Sequence, residues 1–157
     1  MRCGHGFDAH RLVEGRRLVL GGAEIPSARG ALGHSDADVL AHALSDALLG
    51  AAALGDLGGH FPDTDDRWKD ADSMRLLELC GAQLRRAGYR VENVDVTVVL
   101  QTPKLAPHIE TMRRNVSQSL GLSVGQVSIK AKTSEGMGYT GDGTGIAAYA
   151  VASISPL

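Results

Sequence analysis

Aromatic side chains are scarce in this chain, which has two Phe, three Tyr and one Trp in 157 residues. That scarcity excludes a core built on large rings and removes the stacking platforms used by single-stranded nucleic-acid binders. No basic excess is present either: 16 Lys and Arg stand against 18 Asp and Glu, a formal charge of −2. Composition therefore makes no electrostatic case for a nucleic acid or a membrane surface. Long apolar runs are missing as well. The longest stretch, Val39 to Gly55, is interrupted by His42 and Asp46 and does not read as a membrane span. The opening MRCGHGFDAH has neither an apolar signal region nor the Arg/Ser-rich character of a transit peptide. Two cysteines, Cys3 and Cys80, are too few for a disulfide framework or a thiolate zinc site, and they read as reduced thiols of a cytoplasmic protein. With no repeat, low-complexity tract or linker, one domain spanning residues 1–157 is expected.

What the chain does have is Ala, Val, Leu and 20 Gly, so small side chains must fill the core. Residues 1–6 alternate as a strand does. Arg17 to Leu20, Gly21-Gly22 and Ala23 to Ile25 read as a hairpin. Ser35 to Asp38 resembles a capping box, opening a helix with Leu40, Ala43, Leu44, Ala47 and Leu48 on one face and an end near Gly50. A Gly/Asp/Pro-rich loop from Leu54 to Asp70 is too long for a mere connector and has the character of a binding loop. Further helices are predicted over about 72–87 and from Pro107 to Gly121, with strands over 94–100, 127–132 and 146–154. The expected class is α/β (α+β): a mixed four-stranded sheet covered on one face by helices, plus the small hairpin.

Asp8-Ala9-His10 is the first chemically informative spacing. On an extended segment residues two apart share a side, so Asp8 and His10 can hold one ion together, while Cys3, His5 and Phe7 fall on the other side. His42 is the natural third ligand, with Asp38 and Asp46 four residues before and after it as candidates to orient its ring. Two His and one carboxylate leave an open position, as catalytic zinc sites do. A surface D-x-H beside an unrelated helical histidine is the competing reading. The same triad suits a non-haem iron oxygenase, though such ligands normally sit on a β-barrel and not on a helix. His34 and Ser35 precede a helix start, a favourable place for a phosphate. Lys132, Thr133 and Glu135 follow a strand, with an ammonium and a hydroxyl for phosphate oxygens and a carboxylate for magnesium. The glycines from Gly136 to Gly145 allow close backbone approach to a ligand or simply make turns.

The runs GHGFDAHR, GHSDADVLAHALSDALLGAAALGDLG, HFPDTD, PKLAPHIETMR and KTSEGMGYTG, in this order and covering nearly the whole chain, closely resemble the 2-C-methyl-D-erythritol 2,4-cyclodiphosphate synthase family of the non-mevalonate isoprenoid pathway. The resemblance implies a homotrimer with active sites at subunit interfaces. It also implies a cytidine diphosphate-linked substrate, 4-diphosphocytidyl-2-C-methyl-D-erythritol 2-phosphate, converted to the cyclic diphosphate plus CMP. Asp8, His10 and His42 match the family's ligands for one Zn2+ per subunit, and Glu135 its ligand for Mg2+ or Mn2+ held with the substrate diphosphate. His34 and Thr133 match residues that stabilise the transition state, with Ser35 beside them. Asp56, Leu57 and Gly58 match a ribose-binding segment, and Phe61, Pro62, Asp63, Thr64 and Asp65 match contacts to the methylerythritol unit. Leu100, Gln101, Thr102, Pro103, Lys104, Leu105 and Ala106 match the cytidine pocket. Ala9, Lys132, Ser134 and Tyr139 fall at further substrate-contacting positions.

One segment departs from the pattern. The family's last loop usually carries an aromatic residue and then Thr-Gly-Arg-Gly-Glu-Gly, whereas this chain has Tyr139-Thr-Gly-Asp142-Gly-Thr144-Gly. Near a threefold axis Asp142 would form a ring of three carboxylates, expected to repel an anion and to raise at least one aspartate pKa. Two readings compete with the cyclase. A zinc phosphohydrolase would release orthophosphate or a linear product, and a binding module would hold a closed four-ligand metal site and turn nothing over.

Overall fold

The computed structural model describes residues 1–157. Strand β1 (Arg2–Glu14) runs well beyond the six residues whose alternation predicts it. Hairpin β2 (Leu18–Leu20) and β3 (Ala23–Ile25) forms as expected, Gly21 and Gly22 supplying the positive φ of its turn. There follow β4 (Arg29–Ala31), α1 (Val39–Ala51), α2 (Leu57–His60), α3 (Ser73–Arg86), β5 (Tyr89–Val99), α4 (Ile109–Leu120), β6 (Val127–Lys132), α5 (Gly138–Gly141) and β7 (Gly145–Pro156).

The main sheet has five strands, not the four expected, in the order β4-β1-β7-β5-β6. The extra strand is β4, which pairs with the far half of β1 through Leu12↔Ala31, Val13↔Gly30 and Glu14↔Arg29. Three residues centred on a glycine show no alternation, so only pairing reveals this strand. The β5–β6 pair is parallel and the other pairs are antiparallel, so the sheet is mixed as predicted.

Two glycines set how β1 meets α1. A Cβ on Gly4 would lie 2.0 Å from the Ala47 carbonyl oxygen, and one on Gly6 1.9 Å from that of Ala43. The helix backbone therefore rests directly on the strand, and Ala43, Ala47 and Ala51 face it with the smallest side chains available. α1 is buried on nearly every side, from Val39 to Leu49, instead of on one face. His42, Asp46 and Gly50 form its one less-buried stripe, at four-residue spacing. α3 adds Met74, Leu77, Cys80 and Leu84 to the core, and α4 adds Met112, Val116 and Leu120. Gly121, at φ 68°, ends α4 as the sequence predicts, while Pro107 lies in a 3-10 turn just before that helix.

The capping box is not as expected. Asp38, not Ser35, caps α1, accepting from Ala41 N at 3.1 Å. Ala37 adopts φ 56°, which breaks helical continuity between the two residues. The other Asp38 bonds come from Gly21 N at 3.0 Å and Gly22 N at 2.9 Å, tying the hairpin turn to the helix start. The sheet face away from the helices is not covered. Phe7 and Tyr149 there are each 45% exposed and Val151 is 46% exposed, with the Phe7 and Tyr149 rings 5.1 Å apart. No helix is long and apolar enough to cross a membrane.

Candidate active site and metal centre

β1 and α1 bring Asp8, His10 and His42 together because the glycine contact sets the His42 stripe over the inner side of β1. Asp8 Oδ2 lies 2.8 Å from His10 Nε2 and 3.0 Å from His42 Nδ1, and the two imidazole nitrogens are 3.4 Å apart. Four tetrahedral ligands at ~2.0–2.1 Å from a zinc ion sit roughly 3.3 Å from one another, so this spacing fits such an ion. His10 Nδ1 donates to the Leu32 carbonyl at 2.9 Å, which leaves Nε2 as the nitrogen facing the site. Burial alone would raise the Asp8 carboxyl, but hydrogen bonds from His10 and His42, with their charges, outweigh it and hold the pKa at about 2. His10 is raised: burial opposes its charge, and the Asp8 carboxylate beside it prevails. An ion needs the ionised carboxylate that the low Asp8 pKa supplies together with neutral imidazoles, and would displace the imidazole protons that otherwise face Asp8.

Neither flanking carboxylate orients His42. Asp38 faces the hairpin, and Asp46 Oδ1 accepts from Leu57 N at 2.7 Å, fastening the start of α2. Burial raises the Asp46 carboxyl above its usual range. The second nitrogen of His42, Nε2, instead meets Ser73 Oγ at 2.8 Å and Ser35 Oγ at 3.1 Å. Sequence reasoning missed Ser73 and its partner Asp36. Both stand beside helix-start aspartates, Asp72 and Asp38, where cap chemistry is the obvious reading.

These three side chains open onto a cavity of about 500 Å3, a size suited to a small molecule. Of the residues expected to contact substrate, His34, Ser35, Leu57, Gly58, Phe61, Pro62 and Asp63 line it. His34 Nε2 is buried there without a protein partner, a group suited to bind a ligand. Trp68 and Leu76 also line the cavity, and the Trp68 ring stands edge-on to Phe61 at 4.9 Å and 84°. The only signal for Trp68 was the one Trp of the chain lying within the Gly/Asp-rich loop. Asp56 caps α2 through Gly59 N at 2.8 Å. Ala9 faces the uncovered side of β1, and Asp65 is turned to Arg67, 2.6 Å away, whose guanidinium and backbone N–H lower its pKa. Neither side chain, nor that of Thr64, lines this cavity.

The remaining predicted residues lie elsewhere. Leu100, Gln101, Thr102 and Pro103 line a separate cavity of about 220 Å3 with Arg29 and Gly143. Lys132, Thr133, Glu135 and Tyr139 are exposed, and Ser134 is half-buried with its hydroxyl on Thr140 Oγ1 at 2.6 Å. Leu100 N donates to the Lys132 carbonyl at 2.9 Å, joining the 100–106 and 132–135 segments. Lys104, Leu105 and Ala106 continue that segment, with Leu105 buried. Glu135 is thus not part of the Asp8, His10 and His42 cluster. Asp142 accepts from Thr144 Oγ1 at 2.6 Å and Thr144 N at 2.9 Å. These bonds hold its pKa below the usual carboxylate range in the single chain, the reverse of the shift expected for a ring of aspartates.

Comparison with known proteins accords with this geometry. The YgbB family model matches residues 1–155. The 2-C-methyl-D-erythritol 2,4-cyclodiphosphate synthase of Trichlorobacter lovleyi is 56% identical over 156 residues, covering 99% of each chain. That of Syntrophomonas wolfei is 60% identical over 154 residues, covering 98% of each. A solved 2C-methyl-D-erythritol-2,4-cyclodiphosphate synthase in a CDP-bound form superposes with a TM-score of 0.91 at 40% identity, covering 98% of this chain and all of that one. The chain belongs to the YgbB family, that of the 2-C-methyl-D-erythritol 2,4-cyclodiphosphate synthases.

Proposed function

We propose that this protein converts 4-diphosphocytidyl-2-C-methyl-D-erythritol 2-phosphate to 2-C-methyl-D-erythritol 2,4-cyclodiphosphate with release of CMP, in the cytoplasm and in the service of isoprenoid precursor synthesis. The observation that carries the reading is the convergence of Asp8 Oδ2, His10 Nε2 and His42 Nδ1 at the mouth of a small-molecule cavity. An oxygen of the 2-phosphate attacks the β-phosphorus. The new P–O bond forms as the bond from that phosphorus to the bridging oxygen breaks, and the electron pair leaves with CMP. The nucleophile is already an anion at neutral pH, so no general base is required. Proximity and relief of charge repulsion are what the reaction lacks. Holding the substrate bent supplies the first, worth about 7–11 kcal/mol in well-oriented cases. His34, whose Nε2 has no protein partner, and Gly58 line the cavity and would bind phosphate and sugar oxygens. Zn2+ held by Asp8, His10 and His42, with Mg2+ or Mn2+ at Glu135, would neutralise phosphate charge when bound.

The active protein is, in this reading, a homotrimer. Asp8, His10 and His42 line one cavity, residues 100–103 line another, and the exposed 132–135 segment adjoins the latter through Leu100, so a complete site needs residues of a second copy. The uncovered face bearing Phe7, Tyr149 and Val151 is the surface such a copy would bury. Incubating the purified protein with the cytidine substrate and following phosphorus NMR tests the function. Cyclic diphosphate and CMP are the expected products, whereas orthophosphate or a linear product would identify a phosphohydrolase instead.

A further inference from the structure

His42 Nε2 is joined through Ser73 to Asp36, a carboxylate that the metal reading does not use. Ser73 is wholly buried at the first turn of α3. Its hydroxyl makes a short hydrogen bond to Asp36 Oδ1, and its backbone N–H donates to Asp36 Oδ2 at 3.1 Å. A carboxylate only accepts, so the single hydroxyl proton of Ser73 is committed to Asp36. Ser73 Oγ can then meet His42 Nε2, 2.8 Å away, only as an acceptor. Ser35 Oγ, 3.1 Å from the same nitrogen, accepts the Ala37 N–H and can give its own proton to Ser73 Oγ at 3.4 Å, which leaves it too an acceptor towards Nε2. Nε2 therefore carries a proton, so an ion that displaces the proton shared between Nδ1 and Asp8 meets the lone pair of Nδ1, the atom that faces Asp8 and His10. Asp36 is also held where the long loop returns to the fold, with Asp36 N donating to the Ala71 carbonyl at 3.2 Å and Asp70 N to that of His34 at 2.9 Å.

We propose that Asp36 and Ser73 are positioning residues of the metal centre, a relay that fixes the tautomer and ring orientation of His42 so that Nδ1 is presented to the ion. The proposal rests on the metal-binding reading of the site. The relay ties His42 to the end of the substrate loop, so a displacement of residues 70–73 would reach the centre through one hydroxyl. Partners of this kind typically change metal affinity by about 10–100-fold when removed from behind a histidine ligand.

The test uses the full chain, stripped of metal and then titrated with Zn2+ against a competing chelator, and with Co2+ for its electronic spectrum. Ser73→Ala, which keeps the backbone bond to Asp36, and Asp36→Asn are compared with the unsubstituted protein after thermal unfolding has shown each to be folded. Zn2+ affinity should fall about 10–100-fold in Ser73→Ala, with an altered Co2+ spectrum. Nitrogen NMR of the Zn2+-loaded protein should show His42 protonated on Nε2 with Nδ1 on the ion, and a mixture of ring orientations in Ser73→Ala. A folded Ser73→Ala with Zn2+ affinity within twofold of the unsubstituted protein overturns the relay, as does a His42 that carries its proton on Nδ1 in the Zn2+-loaded protein. Should Asp36→Asn fail to fold, Ser73→Ala decides alone. Absence of stoichiometric Zn2+ binding by the unsubstituted protein overturns the metal reading and the relay together. Binding that Asp8→Ala abolishes and Ser73→Ala leaves intact overturns the relay only.

Discussion

At the scale of single residues, the buried polar groups decide most. Asp38 is fully buried and accepts N–H groups from Gly21, Gly22 and Ala41. Asp38→Ala would leave those donors without an acceptor, and a loss of about 3 kcal/mol or more in unfolding free energy is expected. Burial pushes the Asp38 carboxyl from 3.8 up to about 6, against the lowering effect of the three N–H bonds. A folded pKa above the unfolded one means that this group's contribution to stability is complete below pH 3.8 and is lost as pH rises through about 6. Relative to Asp38→Asn, the unsubstituted protein should lose stability across that window, and parallel melting curves at each pH would contradict the assignment. Cys80 behaves differently because its environment is apolar. Burial raises its thiol from 9.0 to about 11, so it should resist alkylation at pH 8 until the protein unfolds. For the site itself, His42→Ala should lose tight Zn2+ binding and turnover while the protein remains folded. Unchanged turnover in that variant would remove His42 from the metal centre. The Asp8–His10 pairing was legible in two-residue spacing, since parity on a strand is a local property. Ser73 was not, because 31 residues separate it from His42 and only the packing of α3 beside α1 brings the two side chains together.

At the scale of elements, the α1–β1 contact governs the geometry of the centre. Gly6→Ala places a Cβ 1.9 Å from the Ala43 carbonyl oxygen, and the obstacle is helix backbone, which cannot rotate aside. Destabilisation of about 3 kcal/mol or more is expected. Because the displaced helix carries His42, Zn2+ affinity should fall in any population that still folds. Equilibrium unfolding and chelator competition on the same sample check both effects. Retention of native stability would mean that α1 can lift without cost. The three long helices α1, α3 and α4 were legible because each combines apolar periodicity with a stop, as Gly121 stops α4, whereas the four-residue α2 and α5 lie within segments that read as loops. The start of α1 was misread because Ser35 and Asp38 fit a capping pattern in sequence, and the positive φ of Ala37 that breaks it is a backbone property. β4 was invisible for a related reason: its pairing with residues 12–14 is its only strand-like feature.

At the scale of the whole molecule, the uncovered sheet face and the divided binding residues belong to one problem. Tyr149→Glu puts a charge on the apolar patch without touching Asp8, His10 or His42. The proposed trimer should dissociate in sedimentation analysis, with loss of turnover but retention of Zn2+ by each chain. Full activity in a monomer would refute the shared-site reading. Asp142 offers a second test at this scale. If threefold symmetry sets three copies near the axis, the native protein should bind farnesyl diphosphate weakly, and Asp142→Arg should bind it more tightly by calorimetry. Because Asp142 already satisfies its carboxylate within its own loop through Thr144, catalysis should be indifferent to the change.

Much of the local order was determined by the amino-acid sequence alone: the three long helices, which strand side carries Asp8 and His10, the hairpin turn, and, through its motifs, the family. Those properties depend on neighbours within a few residues, where periodicity, caps and glycine are decisive. Tertiary structure alone decided that β4 closes the edge of the sheet, that Ser73 and not a flanking aspartate stands behind His42, and that residues 100–103 line a cavity apart from Asp8, His10 and His42. Each of these rests on contacts between segments far apart in the chain. Such contacts are set by how closely two backbones can approach, as at Gly4 and Gly6, and that distance is not written in the pattern of either segment alone.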